Sequence, residues 1–197
     1  MGAQRFPQTV RSFLKHGHIT AGAFLLAACR DATPAVSPGV VSATPNTHVV
    51  AAAAAVGTRF PSIVLRTLTG DSVRLGGAGP QPLTLVNMWA TWCGPCKKEF
   101  PDLQALHEQY GRRGLRLIAV STDQQDVPVR AFVMSTNATF LIGRDTAEDV
   151  LAFLRDGSLP QNVLIGADGR ILYKAFGAHR PVDPALKAAI ESALGGA

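Results

Sequence analysis

The sequence predicts an α/β fold built on a mixed central sheet, and three observations carry that expectation. An apolar, β-branched run over residues 83–89 leads into a stretch with helical spacing and then into a second apolar run at 115–120. That is the pattern of two parallel strands joined by a right-handed helical crossover. Two turn signals, Thr69-Gly70-Asp71 and Asp168-Gly169, each separate short runs of strand formers and add antiparallel hairpins towards either end of the domain.

Taken in order, residues 60–65 and 72–75 form the first hairpin. Residues 83–89 form a short buried strand, bounded upstream by Gly79, Pro80 and Pro82. The helix that follows places Phe100, Leu103, Leu106 and Tyr110 on one face, with Gly94-Pro95 in its first turn, where proline gives up no needed N–H. Gly111 and Gly114 end it, and residues 115–120 form the next core strand. A helix over 127–136, a short strand or extended segment at 139–142 and a helix over 147–154 come next. Residues 162–165 and 170–176 flank Asp168-Gly169 as the second hairpin. Asp183-Pro184 caps a final helix whose apolar face is Ala185, Leu186, Ala189, Ile190, Ala193 and Leu194.

The chain has 197 residues, room for one domain and its extensions, and a formal charge of +5. That charge misleads. Arg5, Arg11 and Lys15 lie in a leader without acids, and from Cys29 onward 16 basic residues face 14 acidic ones. No basic run interleaves with aromatics and no glycine-rich phosphate loop follows a strand, so nothing points to nucleic acid or nucleotides. Residues 1–18 are basic and 19–28 apolar, long enough for a signal h-region and too short to span a bilayer. Leu26-Ala27-Ala28-Cys29 resembles a bacterial lipobox, which makes Cys29 a lipidation site. The alternatives are an ordinary signal peptide or an uncleaved anchor with an incidental cysteine. Arg11-Ser12-Phe13-Leu14-Lys15 resembles the latter part of a twin-arginine motif, but Val10 stands where the first arginine belongs, which favours the general secretory route. The expected organisation is a lipoprotein-type signal peptide over 1–28, a lipid-anchored flexible linker over 29–56 rich in Ala, Pro, Thr and Ser, and the folded domain over 57–197. This puts the domain outside the cytoplasm, anchored at the periplasmic face of a membrane or at the outer cell surface.

Trp92-Cys93-Gly94-Pro95-Cys96 carries the chemistry. Two thiols at this spacing form a dithiol that passes two electrons, and Cys93 falls at a helix N-terminus, where free N–H groups and the positive dipole end favour a thiolate. Lys97 and Lys98 add positive charge. Cys93 is therefore expected at the exposed end as the attacking thiol, with Cys96 one turn further in as the resolving thiol. Half of a zinc site is the competing reading, but a structural zinc needs four ligands and no second cysteine pair exists.

The segment from Asn87 to Pro101, Asn-Met-Trp-Ala-Thr-Trp-Cys-Gly-Pro-Cys-Lys-Lys-Glu-Phe-Pro, resembles the active site of thioredoxin-fold reductases, specifically the membrane-attached TlpA/ResA-like branch. The likeness runs from about Gly57 to Leu194. It implies a thioredoxin-like three-layer α/β/α sandwich with an N-terminal hairpin and a central insertion over the 127–154 region. It also implies a redox-active Cys93–Cys96 disulfide and no other cofactor. Pro101 falls where thioredoxins kink the active-site helix. Ser158-Leu159-Pro160-Gln161 resembles the segment bearing the family's cis-proline, which turns the backbone of Leu159 towards the cysteines so that it pairs with an extended substrate. An ordinary strand-initiating proline is the plainer reading. Glu99 matches an acid of this branch and is expected to exchange a proton with Cys96, the alternative being a solvated glutamate paired with a lysine. Trp92, with Gly94 and Pro95, lines the docking surface or else packs in the loop, while Trp89 and Phe100 belong to the core. The partners implied are disulfides of exported proteins, such as apocytochrome c or oxidase-assembly factors, and an integral-membrane thiol donor. Two competitors remain. One is a peroxiredoxin-like peroxidase, for which Thr91 stands at the wrong offset. The other is a copper-handling module on the same cysteines, for which His179 is the candidate third ligand.

Overall fold

All seven residues of β3 (Leu83–Trp89) are buried, as a strand covered on both faces requires, and the other elements are arranged around it. The computed structural model describes residues 54–177 and 183–195. On one side β3 pairs in parallel with β4 (Leu115–Ser121), from Leu83 opposite Leu115 to Trp89 opposite Ser121. On the other it pairs antiparallel with β6 (Gln161–Ile165), with Asn87 opposite Asn162 and Met88 opposite Gln161. β5 (Leu141–Arg144) lies parallel to β4. The hairpin of β1 (Ile63–Thr67) and β2 (Ser72–Leu75) joins antiparallel to β5, and β7 (Ile171–Phe176) closes the far edge against β6. The result is one seven-stranded mixed sheet in the order β2-β1-β5-β4-β3-β6-β7.

The steps from β3 to β4 and from β4 to β5 run in the same direction across the sheet, so two right-handed crossovers put α1 (Gly94–Tyr110) and α2 (Asp126–Met134) on the same face. There Phe100, Leu103 and Leu106 of α1, Val129 of α2, and Leu186 and Ile190 of α4 (Pro184–Gly195) cover Leu85, Trp89 and Leu117. Trp89, Phe100 and Phe132 meet at ring-centroid distances of 4.7–5.2 Å and lock both helices to the end of β3. On the opposite face α3 (Asp149–Leu154) and Phe60 cover Val86, Met88 and Ile118. Helices on both faces of a mixed sheet are the three-layer α/β/α architecture that the resemblance implies.

Element boundaries shift from expectation by a few residues, and three of the shifts have a clear local reason. β5 begins two residues later than the predicted segment and includes Gly143 and Arg144, because both pair with β1 as well as β4. The central insertion therefore contributes an interior strand that couples the N-terminal hairpin to the sheet. α3 starts at Asp149 because Glu148 adopts a left-handed conformation, φ 59°. Phe60 is fully buried outside any strand, and β1 starts at Ile63. Residues 1–53 lie outside the described residues, and with them the expected signal peptide, Cys29 and most of the expected linker. Ala54, near the end of that linker, is buried in the cluster with Phe60, and Gly57 N donates to Ile171 O (2.8 Å), so chain upstream of Gly57 is part of the fold.

The two turn glycines do different work. Gly70 has φ +91° with open space around a would-be Cβ, whereas Gly169 has φ +83° and a Cβ there would stand 2.2 Å from the Gly77 carbonyl oxygen. Gly70→Ala should therefore cost only conformational strain, about 1 kcal/mol. Gly169→Ala should cost about 1–3 kcal/mol beyond that, because backbone has to move. Urea unfolding of the two variants tests this ranking, and equal losses would contradict it.

Candidate functional site

The chain leaves β3 at Trp89 and turns through Ala90, Thr91 and Trp92 into α1, and the N-cap residue of that helix is Cys93. Its φ −84° and ψ 99° are extended, and its sulfur accepts a hydrogen bond from Cys96 N at 3.2 Å. Pro95 occupies the first turn, where the missing N–H costs nothing. Cys93 and Cys96 form a disulfide with Cα atoms 5.3 Å apart. The expectation of an exposed Cys93 needs correcting for this oxidised form. Cys93 is only 6% exposed and Cys96 0%, because the closed disulfide lays both sulfurs on the apolar cluster beneath α1. The exposed residues at this end are Trp92, 71% accessible, with Gly94 and Pro95.

One turn beyond Cys96, Glu99 is buried under α1. Asn87 Nδ2 donates to Glu99 Oε2 (3.2 Å) and to Asn162 Oδ1 (3.0 Å), and the two asparagines are direct cross-strand neighbours of β3 and β6. A carboxylate on an asparagine floor inside an apolar cluster is poorly solvated. Burial pushes the Glu99 pKa up from 4.5 to about 7, with the hydrogen bonds from Asn87 and Asn162 pulling it down and the charge of Asp102 adding to the rise. Glu99 Oε1 and Asn87 Oδ1 are both buried without a partner among the described residues. A proton on the carboxyl supplies a donor where two acceptors lack one, which also favours the neutral form. The solvated, lysine-paired glutamate is thereby excluded.

Asp123, just past the end of β4, grips the loop ahead of the disulfide. Its carboxylate accepts from Thr91 N (2.9 Å), Thr91 Oγ1 (2.7 Å) and Ser121 Oγ (2.7 Å). The Thr91 hydroxyl is thus committed to Asp123, not available as the cysteine partner a peroxidase would need. Sequence reasoning missed both Asp123 and Asn162. The signal for Asp123 was an acid at the carboxyl end of the strand beside the active-site strand, where open α/β sheets collect functional groups. Asn162 gave no signal, because its place opposite Asn87 depends on strand register.

Leu159–Pro160 is a cis peptide bond, as the resemblance implies. Leu159 is half-buried against the cluster that holds Cys93 and Cys96. Its main-chain N–H and C=O have no hydrogen-bond partner among the described residues, while Pro160 O accepts from Gly177 N (2.8 Å). Two clefts of about 520 and 390 Å3 flank the molecule, and neither is lined by a cysteine. His179 lies outside the described residues, and among those described no three His, Cys, Asp or Glu side chains are grouped to hold a metal.

The AhpC/TSA family profile matches residues 56–174. The chain belongs to the AhpC/TSA family. It is 30% identical over 122 residues to the thiol-disulfide oxidoreductase ResA of Bacillus thuringiensis (strain Al Hakam), spanning 62% of this chain and 70% of that protein. Against ResA of Geobacillus kaustophilus (strain HTA426) the identity is 34% over 119 residues, spanning 60% and 68%. The solution structure of a thiol:disulfide interchange protein from Bacteroides sp. superposes with a TM-score of 0.59 at 25% identity, covering 73% of this chain and 92% of that one. StoA from Bacillus subtilis shares the fold, with a TM-score of 0.55 at 22% identity over 66% of this chain and 94% of that one. This member of the AhpC/TSA family is a thiol-disulfide oxidoreductase with a thioredoxin-like fold.

The raised Glu99 pKa has a stability consequence of definite sign. The folded chain holds the Glu99 proton more tightly than the unfolded chain, so the stability that Glu99 contributes is fully present below about pH 4.5, falls as pH rises to about 7 and is flat above. The full effect is about 3 kcal/mol. Glu99→Gln, which never ionises, should remove this slope and exceed the wild type in stability at pH 8. Urea midpoints of both proteins from pH 4.5 to 8 measure it, and parallel curves would rule the shift out.

Proposed function

We propose that this enzyme reduces disulfides in exported proteins from the outer side of a membrane, with Cys93 as the nucleophile and Cys96 as the resolving thiol. The observation that carries the reading is the Cys93 sulfur at the N-cap of α1, bonded by Cys96 N–H, with a buried carboxyl, Glu99, one turn beyond Cys96. In the reduced enzyme the same N–H and the helix dipole favour a Cys93 thiolate. That thiolate attacks a substrate sulfur, the substrate S–S bond breaks, and one substrate thiol leaves after protonation. Cys96 gives its proton to the Glu99 carboxylate and attacks Cys93, which breaks the mixed disulfide and releases the second substrate thiol. The substrate gains two electrons and two protons, and Cys93–Cys96 is left oxidised. A pKa of about 7 lets Glu99 take up and return that proton near neutrality.

Exposed Trp92, Gly94 and Pro95 form one wall of the docking surface. Leu159 forms the other, offering its unpaired main chain to an extended segment at the start of β6, next to Pro160. Gln161 lies opposite Met88 in the sheet, so this segment begins beside the end of β3 from which the cysteines emerge. Apocytochrome c and oxidase-assembly factors are the substrates suggested by the resemblance, and an integral-membrane thiol carrier would return the electrons. Among the described residues no helix is long and apolar enough to cross a membrane. The anchor in this reading is acylated Cys29, whose several chains, at about 0.8 kcal/mol per buried CH₂, hold the domain firmly.

A reductase role requires the Cys93/Cys96 couple to sit at or below about −250 mV in thiol–disulfide buffers, and a value near −120 mV would make the enzyme an oxidant instead. Cys29→Ser should move the protein from the membrane fraction to the soluble fraction. Retention of that variant in membranes would remove the lipid anchor.

A further inference from the structure

The segment that precedes Pro160 is held partly by its own residues and partly from outside. Arg155, the C-cap of α3, takes a left-handed conformation at φ 58°, which costs a non-glycine residue about 1 kcal/mol or more, and persists where its surroundings over-determine it. Three groups do so. Asp156 Oδ1 accepts from Ser158 N (2.9 Å) and Ser158 Oγ (2.5 Å), folding residues 156–158 into a tight turn. The fully buried Gln161 donates through Nε2 to the Asp156 carbonyl. Lys174 reaches across from β7, its ammonium donating to Leu154 O (3.2 Å) and Ala54 O (2.9 Å) and lying 4.6 Å from the centre of the Phe176 ring.

Lys174 is the least expected of the three. Burial lowers its pKa from the ordinary lysine value and the charge of Asp156 raises it, yet no carboxylate is within salt-bridge distance among the described residues. What this part-buried ammonium contributes is geometry. It satisfies a terminal carbonyl of α3, at the negative end of that helix, and fixes the point where α3 hands the chain to the 155–160 turn. Its other bond ties the same point to Ala54, near the N-terminal edge of the described fold.

We infer that Lys174 is a positioning residue for protein substrates: by clamping Leu154 and Ala54 it sets the turn that presents the Leu159 main chain. It has no role in the exchange chemistry at the sulfurs. The inference rests on Leu159 pairing with substrate as proposed above.

The test uses the full-length chain and compares reduction of a peptide disulfide, the same peptide N-methylated beside its cysteine, and a small aromatic disulfide with no main chain to pair. In Lys174→Met the KM for the parent peptide should rise about tenfold, the loss of roughly one good hydrogen bond's worth of alignment. kcat for the small disulfide and the Cys93/Cys96 potential should not change, and Lys174→Arg should recover part of the peptide KM. An unchanged peptide KM in Lys174→Met overturns the inference. So does an equal loss on the small disulfide, which marks a merely structural lysine. If the wild type itself does not discriminate against the N-methylated peptide, main-chain pairing at Leu159 fails, and the inference fails with it by a separately visible route.

Discussion

The site depends on where β3 stops. Its seven residues are fixed from both sides, by parallel pairing with β4 up to Trp89 and by antiparallel pairing with β6 up to Met88, so the exit of the chain has no freedom in register. A slip of one residue would turn Asn87 from the α1 face to the α3 face and put Val86 under Glu99. Trp89, wedged against Phe100 and Phe132, then sets the height at which α1 starts, and Asp123 ties Thr91 to the end of β4. The Cys93 sulfur reaches the free N–H groups of α1 because each of these constraints acts on the few residues between strand and helix.

The same register places a polar group where a core would ordinarily be apolar. Asn87, Asn162 and Glu99 occupy the middle of a face whose other members are Leu85, Leu164, Phe100 and Leu103, and two of their acceptors go unpaired among the described residues. A well-packed apolar trio would be more stable there. What the polar trio supplies is a carboxyl whose charge changes near neutrality, one turn from Cys96. Asparagine suits the floor because it lends hydrogen bonds without titrating, which leaves Glu99 as the single proton-carrying member.

Much of this was legible in the sequence, and the residues show why. The strand at 83–89 and the helix from Gly94 were set by an uninterrupted apolar run, a Cys-Gly-Pro-Cys turn and helical apolar spacing, all of which are local signals. The hairpins were legible from their glycine turns. β5 was displaced because Gly143 and Arg144 have little strand character of their own and join the sheet through β1 and β4, contacts between segments far apart in sequence. Asn162 and Lys174 gave no signal for the same reason, and the signal that Asp123 did give, an acid at the end of a strand, does not name its partner. Each acts through residues distant in sequence: Asp123 on Thr91, Asn162 on Asn87, and Lys174 on Ala54 and Leu154.

Position on the helix orders the chemistry proposed for the two cysteines. In the closed disulfide both cysteines are buried, Cys93 as the N-cap of α1 and Cys96 inside its first turn, and the residues exposed around them are Trp92, Gly94 and Pro95. When a substrate sulfur is joined to Cys93, the thiol best placed to attack that bond is Cys96, held one turn away on the same rigid helix and screened from competitors. The effective concentration of such a neighbour far exceeds that of any thiol in solution, which is the physical ground for the resolution step proposed for Cys96. In the proposed reaction Glu99, one turn further along the same helix and buried, is the acceptor for the proton that Cys96 releases. The roles proposed for the two cysteines are therefore unequal, although two residues alone separate them in sequence.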